Sequence, residues 1–278
     1  DKIDNFWFPR KYGASVIWWK SKEPWHVIFD PKLDKYLHNK DSLSQEDIDY
    51  IWNNDFIYSY QVDRYYFDDI FVQRLLEVGG NLKRWEKVEE VLMSSDEKVQ
   101  WVQTRNEDGE INEYRAKIVI DASGQKGIIG NKLWLREYNE ELGFLAHYTY
   151  FKDFKFYDKF YSKFTQHIIS IDTGWIWIIH IWSWVVSVGV VTDSKIQQSD
   201  LLSILKKHIW KYIDGAQQVD HLWNPTTKVH TASNWSYISR KMYGENYVLL
   251  WDSAGFVDPV LSWWTSFAIS SAFLSYKF

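Results

Sequence analysis

The sequence predicts an α/β fold in two interleaved parts, one Rossmann-type and one built on a mixed β-sheet. Three observations predict it. Two buried apolar strands, within "IVIDASG" and "NYVLLWDSAG", each run into an aspartate and then small residues, at Asp121 and Asp252. Strand ends of this kind that converge on one ligand are typical of nucleotide-binding α/β sheets. These two ends lie far apart in sequence, and residues 144–151 and 166–192 alternate between them as strands of a second sheet. The expected division is therefore 40–130 with 240–278 for the first part, and 1–39 with 131–239 for the second.

In chain order, "SVIWWK" and "WHVIF" are short and rich in β-formers, so residues 6–30 read as strands. Residues 31–53 are polar and read as helical, with Ser44 as N-cap and Glu46 and Asp47 in the first turn. Phe67, Ile70, Phe71, Leu75 and Val78 recur at helical spacing, and Gly79-Gly80 ends that pattern. Residues 87–120 read as a β-meander whose strands are "KVEEVLMSS", "VQWVQTR" and "AKIVID", with "NEDGE" as the hairpin turn. After the Asp121 strand end and the second sheet, helices are predicted near 199–213 and in "SFAISSAFLSY". The opening element of a Rossmann sheet, a strand with GxGxxG, is missing, and the chain does not begin with Met; a fragment is expected.

Bulk properties narrow the function classes. The chain has 278 residues, a net charge of -5 and no cysteine. No disulfide, thiolate metal site or cysteine nucleophile is available. The acidic balance argues against nucleic-acid partners. No apolar run reaches membrane-span length and the first residues lack a signal-peptide pattern, so a cytoplasmic protein is expected. The 8 histidines form no HExxH or HxH pair, and no metal is expected.

Four stretches in order resemble the flavin-dependent halogenases, within the FAD-binding monooxygenase-like fold. "KYGASVIW" resembles the segment bearing the family's catalytic lysine, here Lys11. "VDRYYFDDIFVQRLLEVG" resembles the helix whose arginine, here Arg64, lies near the flavin. "GWIWIIH" resembles the WxWxIP signature, with His180 in place of proline. "WDSAGFVDPVLSWW" resembles the flavin segment G-D-A-A-G-F-x-D-P-x-x-S-x-G. The resemblance implies FAD as cofactor, a flavin reductase supplying it in reduced form, and O2 and halide as co-substrates. It implies that Asp252 accepts from a ribitol hydroxyl or caps a helix, and that Ser253, Ala254 and Gly255 let backbone approach the cofactor. It also implies that Asp121 belongs to the cofactor site and that Pro259 fixes the chain beside the flavin ring. A halide would sit on the turn of Ser262, Trp263 and Trp264. Trp175 and Trp177, on one side of a strand, would line a tunnel leading hypohalous acid to Lys11; spacing alone favours a plain aromatic core strand, and the neighbouring motifs reverse that preference. Without its motif Lys11 reads as a solvated surface lysine, whereas Arg64 reads equally as a surface cation or a site residue.

Leu261 stands where the tryptophan-specific branch has a carboxylate. This favours a phenol or pyrrole substrate, free or tethered to a carrier protein. The alternatives are a FAD-dependent oxidoreductase without halogenation, such as a hydroxylase or prenyl-chain reductase, and an inactive fragment. The last follows if the tryptophans of one anomaly are real: tryptophan numbers 18 and glycine only 13. Trp19, Trp134, Trp251 and Trp264 stand where the family has glycine, and Trp101, Trp182, Trp184 and Trp263 fall where glycine would be natural. Exchanging all eight would return glycine to about its usual 7% share. UGA codons meaning glycine but rendered as tryptophan would produce this pattern.

Overall fold

The computed structural model describes residues 2–18, 25–31, 33, 44–46, 49, 57–155, 165–193, 201–258, 260 and 264–276. Most of the helix expected at 31–53 lies outside them. In chain order the strands begin β1 (Arg10–Lys11), β2 (Gly13–Ile17), β3 (Trp25–Ile28) and β4 (Ser59–Tyr60), followed by helix α1 (Arg64–Glu77). Next come β5 (Lys87–Met93), β6 (Val99–Arg105), β7 (Ile111–Tyr114), β8 (Val119–Asp121), α2 (Ile128–Lys132) and β9 (Arg136–Tyr138). Then follow β10 (Phe144–Lys152), β11 (Gln166–Ile171), β12 (Gly174–His180), β13 (Val185–Asp193) and α3 (Leu201–Ile213). The chain continues through β14 (Gln217–Val219), β15 (His230–Ser233), β16 (Tyr237–Ser239), β17 (Tyr247–Leu249), β18 (Gly255–Phe256) and α4 (Trp264–Ser275).

These elements form two compact units, Asp1–Gly79 with Leu145–Ala232, and Gly80–Phe144 with Ser233–Phe278. The units interleave in sequence, but their borders differ from the sequence-based ones: residues 40–79 fall in the first unit, and 131–144 and 233–239 in the second. Asp121 and Asp252 fall in the same unit.

The first unit is organised by an eight-stranded sheet in the order β14-β10-β13-β12-β11-β2-β3, with β15 paired to β10. Strands β2 and β11 run parallel, whereas β11–β12 and β12–β13 are antiparallel. Helix α3 covers one sheet face. Leu201, Leu205, Ile209 and Ile213 recur every four residues and bury against Ile176, Ile178, Val186, Val188 and Val190. Burying each such side chain contributes about 1.5–3 kcal/mol.

The second unit contains the meander β5-β6-β7, the small sheet β18-β16-β9 and the parallel pair β17-β8. One expectation is corrected here: the third meander strand is β7, and "AKIVID" supplies β8 instead. The reason is local. The 106–110 turn closes tightly, with Asn106 N–H donating to the Glu110 carbonyl (3.1 Å) and Gly109 at φ 82°. The residues immediately after the turn therefore pair with β6, and Val119–Asp121 is left to pair with Tyr247–Leu249.

Candidate active site

The faces of β12 divide its residues by type. Alternation sends Ile176 and Ile178 towards α3, and Trp175 and Trp177 to the opposite side. The indoles lie 5.8 Å apart. Trp177 donates through Nε1 to Ser187 Oγ at 3.1 Å and tilts against Tyr148, which stacks on His230 at 5.0 Å. Directly across from Trp177 on β13 stands Gly189. A Cβ there would overlap the Trp177 ring, so the missing side chain makes room for the indole.

The Lys11 amine, on β1, reaches the same face. Its Nζ donates to Oε1 of buried Gln166, whose register partner on β12 is Ile179. Opposed residues of an antiparallel pair project to one side, so Gln166 shares the side of Ile179, Trp177 and Trp175. The amine also lies 5.8 Å from the Phe29 ring. Burial lowers the lysine pKa from its ordinary 10.5 to about 8, because a desolvated ammonium is disfavoured. A partly neutral amine in an aromatic setting can act as nucleophile or proton donor near neutral pH.

Arg64 opens α1 but stays at the surface, with Nε and Nη2 on the Asp68 carboxylate at 2.7 and 2.9 Å. Its neighbour Asp63 accepts from the Tyr65 N–H as the helix cap and from Trp182 Nε1 at 3.0 Å. That indole packs with Phe8 and Tyr66 at 5.5 and 5.7 Å. Of the apolar positions expected on α1, Phe67 is buried, while Phe71, Leu75 and Val78 are exposed. His180, at the end of β12, has its pKa lowered to about 4 by burial.

In the second unit the two strand ends meet. Leu250 N–H donates to the Asp121 carbonyl at 2.9 Å, and the buried Ser253 hydroxyl donates to the same carbonyl. The Asp121 carboxylate accepts from the Ser123 N–H (3.0 Å), the Ser123 hydroxyl (2.6 Å) and the Ile129 N–H (2.7 Å). It therefore organises the Asp-Ala-Ser-Gly turn. Asp252 is half-buried beyond β17, and its carbonyl accepts from Tyr237. Ala254 is buried, and Gly255 pairs with Ile238 on β16. A half-buried carboxylate followed by small residues fits a flavin's sugar and phosphates. The indole of Trp251, next to that carboxylate on left-handed backbone (φ 54°), does not.

Pro259, Ser262, Trp263 and Trp19 lie outside the described residues, and only the backbone of Trp264 is described, as the first residue of α4. Sequence reasoning missed Gln166. Its sole trace was position: a polar residue opening an apolar strand, 155 residues from its lysine partner.

This combination of a mixed sheet and paired strand ends is the architecture of FAD-dependent halogenases. The myxobacterial chondrochloren halogenase CndH matches 99% of this chain and 60% of its own with a TM-score of 0.81 at 24% identity, a likeness of fold. The flavin-dependent halogenase CmlS matches 98% and 46% at 26% identity, with a TM-score of 0.74. The tryptophan halogenase family model matches residues 18–273, and the chain belongs to that family. Among curated relatives, the 1H-pyrrole-2-carbonyl-(peptidyl-carrier protein) chlorinase of Pseudomonas fluorescens is 27% identical over 98% of this chain and 61% of its own length. The tryptophan 2-halogenase of Chondromyces crocatus is 24% identical over 99% and 49%. The chain thus spans about half to three-fifths of the length of these relatives.

Proposed function

We propose that this chain carries the lysine-bearing and strand-end regions of a flavin-dependent halogenase. In this reading reduced FAD from a separate reductase, with O2 and halide, supplies an electrophilic halogen to an electron-rich aromatic of phenol or pyrrole type. The observation that carries the reading is Lys11: a half-buried amine held by Gln166 on the Trp175/Trp177 face of the sheet. An amine with a depressed pKa can take up the halogen or hydrogen-bond hypohalous acid beside a target ring. Phe29 beside the amine and the Trp175/Trp177 face would exclude water and orient a flat substrate. Asp252 and the Ser253–Gly255 backbone would hold the flavin, Asp121 would shape the adjoining turn, and Arg64 and Pro259 would lie at the cofactor's edge. The turn of Ser262, Trp263 and Trp264 would take the halide. Likeness to the pyrrole chlorinase supports a substrate tethered to a carrier protein.

The test is product mass spectrometry with bromide, a phenol and pyrrole panel and a flavin reductase. Lys11→Ala should abolish halogenation while flavin reoxidation continues. Halogenation at the parent rate by Lys11→Ala would falsify the lysine assignment. One observation favours a second reading: His180 replaces the proline of the WxWxIP pattern. Hydroxylated or reduced products without halogen from the parent chain would establish that oxidoreductase reading instead.

A further inference from the structure

Five tryptophans occupy backbone that a tryptophan scarcely ever adopts. Trp7, Trp85, Trp134, Trp223 and Trp251 have φ of 57°, 60°, 55°, 66° and 54°. Among the described residues, the other non-glycine positions with positive φ are Glu97, Asp153 and Asn234. Left-handed backbone costs an L-residue a clash between its Cβ and the following carbonyl; Asn and Asp tolerate it best, and bulky residues are outliers.

The local hydrogen bonds show what these positions require. At the end of α2, Leu135 N–H donates to the Gly130 carbonyl and Trp134 N–H to the Asn131 carbonyl, at 2.9 and 3.1 Å. That is a Schellman C-cap with residue 134 in the position glycine normally fills. Trp7 is the left-handed cap after the 3-10 turn Asp4–Phe6. Trp223 closes the turn that starts at Asp220, with its N–H on the Asp220 carbonyl at 3.0 Å. The indoles of Trp7, Trp85 and Trp134 are 89%, 75% and 83% exposed, so burial does not offset the backbone cost. By contrast Trp175, Trp182 and Trp235 are buried, and Trp177 donates to Ser187.

We propose that residues 7, 85, 134, 223 and 251 are glycine in the cell that makes this protein, encoded by UGA codons that this sequence renders as tryptophan. The set revises the one drawn from motifs. Trp134 and Trp251 stay in it. Trp101, on strand β6, and Trp182 and Trp184, stacked on each other at 5.6 Å, have no left-handed backbone and leave it. Glycine at 251 also clears the indole from beside Asp252, where the proposed flavin site needs space.

Codons and peptides from the source cells test this. UGA at the five positions and UGG at 175, 177, 182 and 235, with glycine in the native peptides, is the expected result. UGG at the five, or tryptophan in those peptides, overturns it. A chain carrying the five Trp→Gly changes should also melt higher than the chain as written. An equal or lower midpoint would count against the backbone reasoning.

A second inference comes from a different observation and rests on the reading of Lys11 as the reactive amine. We infer that Gln166 is its positioning residue. Lys11 sits on a two-residue strand with four side-chain torsions to fix, and Oε1 of the buried Gln166 accepts from its amine. Burial, with no charged partner among its causes, is what lowers the Lys11 pKa, although the buried Asp30 follows Phe29 in the chain. Ser59 faces Lys11 from β4, Phe29 lies beneath, and Arg10 turns to the Tyr58 ring at 4.4 Å. His167, next on β11, projects to the other side of the sheet. A neutral amide thus fixes the amine without adding charge.

Gln166→Glu and Gln166→Met test this through the titration of isotope-labelled dimethylated Lys11, followed by NMR. Glu should raise the midpoint towards the ordinary lysine range and Met should lower it. In turnover, kcat should fall with KM for the aromatic nearly unchanged. Midpoints equal to the parent's in both variants overturn the assignment of Gln166. Failure of the lysine reading shows separately, as halogenation by Lys11→Ala.

Discussion

The two units use their polar groups in opposite ways. In the first unit, Lys11 and Trp177 are each held by one neutral side chain, Gln166 and Ser187. In the second unit, Asp121 and Ser253 turn inward and tie two strand ends together, with three donors on one carboxylate. The difference teaches that a motif position can matter by shaping a turn as much as by touching a ligand. Substitutions of Lys11 should therefore change chemistry first, and those of Asp121 and Ser253 should change stability first.

The sharpest way to break this contrast is Gly189→Val. Its Cβ would strike the Trp177 ring, and overpacking of this kind costs roughly 1–3 kcal/mol. Urea denaturation should show the loss, and Gly189→Val with Trp177→Leu should recover most of it. Asp121→Ala comes next: it leaves the Ile129 N–H buried without its acceptor, at a cost of about 1–3 kcal/mol. Thermal melting should register that loss; unchanged melting with lost flavin binding would make Asp121 a ligand contact instead.

A pH effect follows from Lys11. Its folded pKa of about 8 lies below the ordinary 10.5, so between these values the unfolded chain binds more protons. Stability should rise as pH increases through that window, relative to Lys11→Met, in paired urea titrations. Smallest is Arg64→Ala. Its ion pair with Asp68 is about half exposed on both sides, and such i,i+4 pairs contribute ~0.3–0.5 kcal/mol. A large loss of flavin affinity without loss of stability would assign this arginine to the cofactor.

What the sequence made legible was whatever local periodicity or chemistry encodes. Alternation placed Trp175 and Trp177 on one face, and apolar strands ending in Asp and small residues marked the junction of Asp121 with Leu250. Register was not legible, because it depends on pairing between distant segments. Nothing near Trp177 announced that Gly189 would stand opposite, and nothing near Lys11 announced Gln166. The meander's third strand was misplaced because "AKIVID" looks more like a strand than "INEY"; turn closure decided the matter, not propensity. Motif comparison located Trp134 and Trp251, but backbone dihedrals were needed to find Trp7, Trp85 and Trp223.

Asp63 has a consequence for motion. One of its carboxylate oxygens holds the first turn of α1, and the other holds the Trp182 indole. Two segments more than a hundred residues apart thus share one fastener, and neither can open fully while it holds. Amides of the first α1 turn and of the 181–185 hairpin should exchange with deuterium as one cooperative unit, with matched opening energies. Asp63→Asn should unlink the two rates.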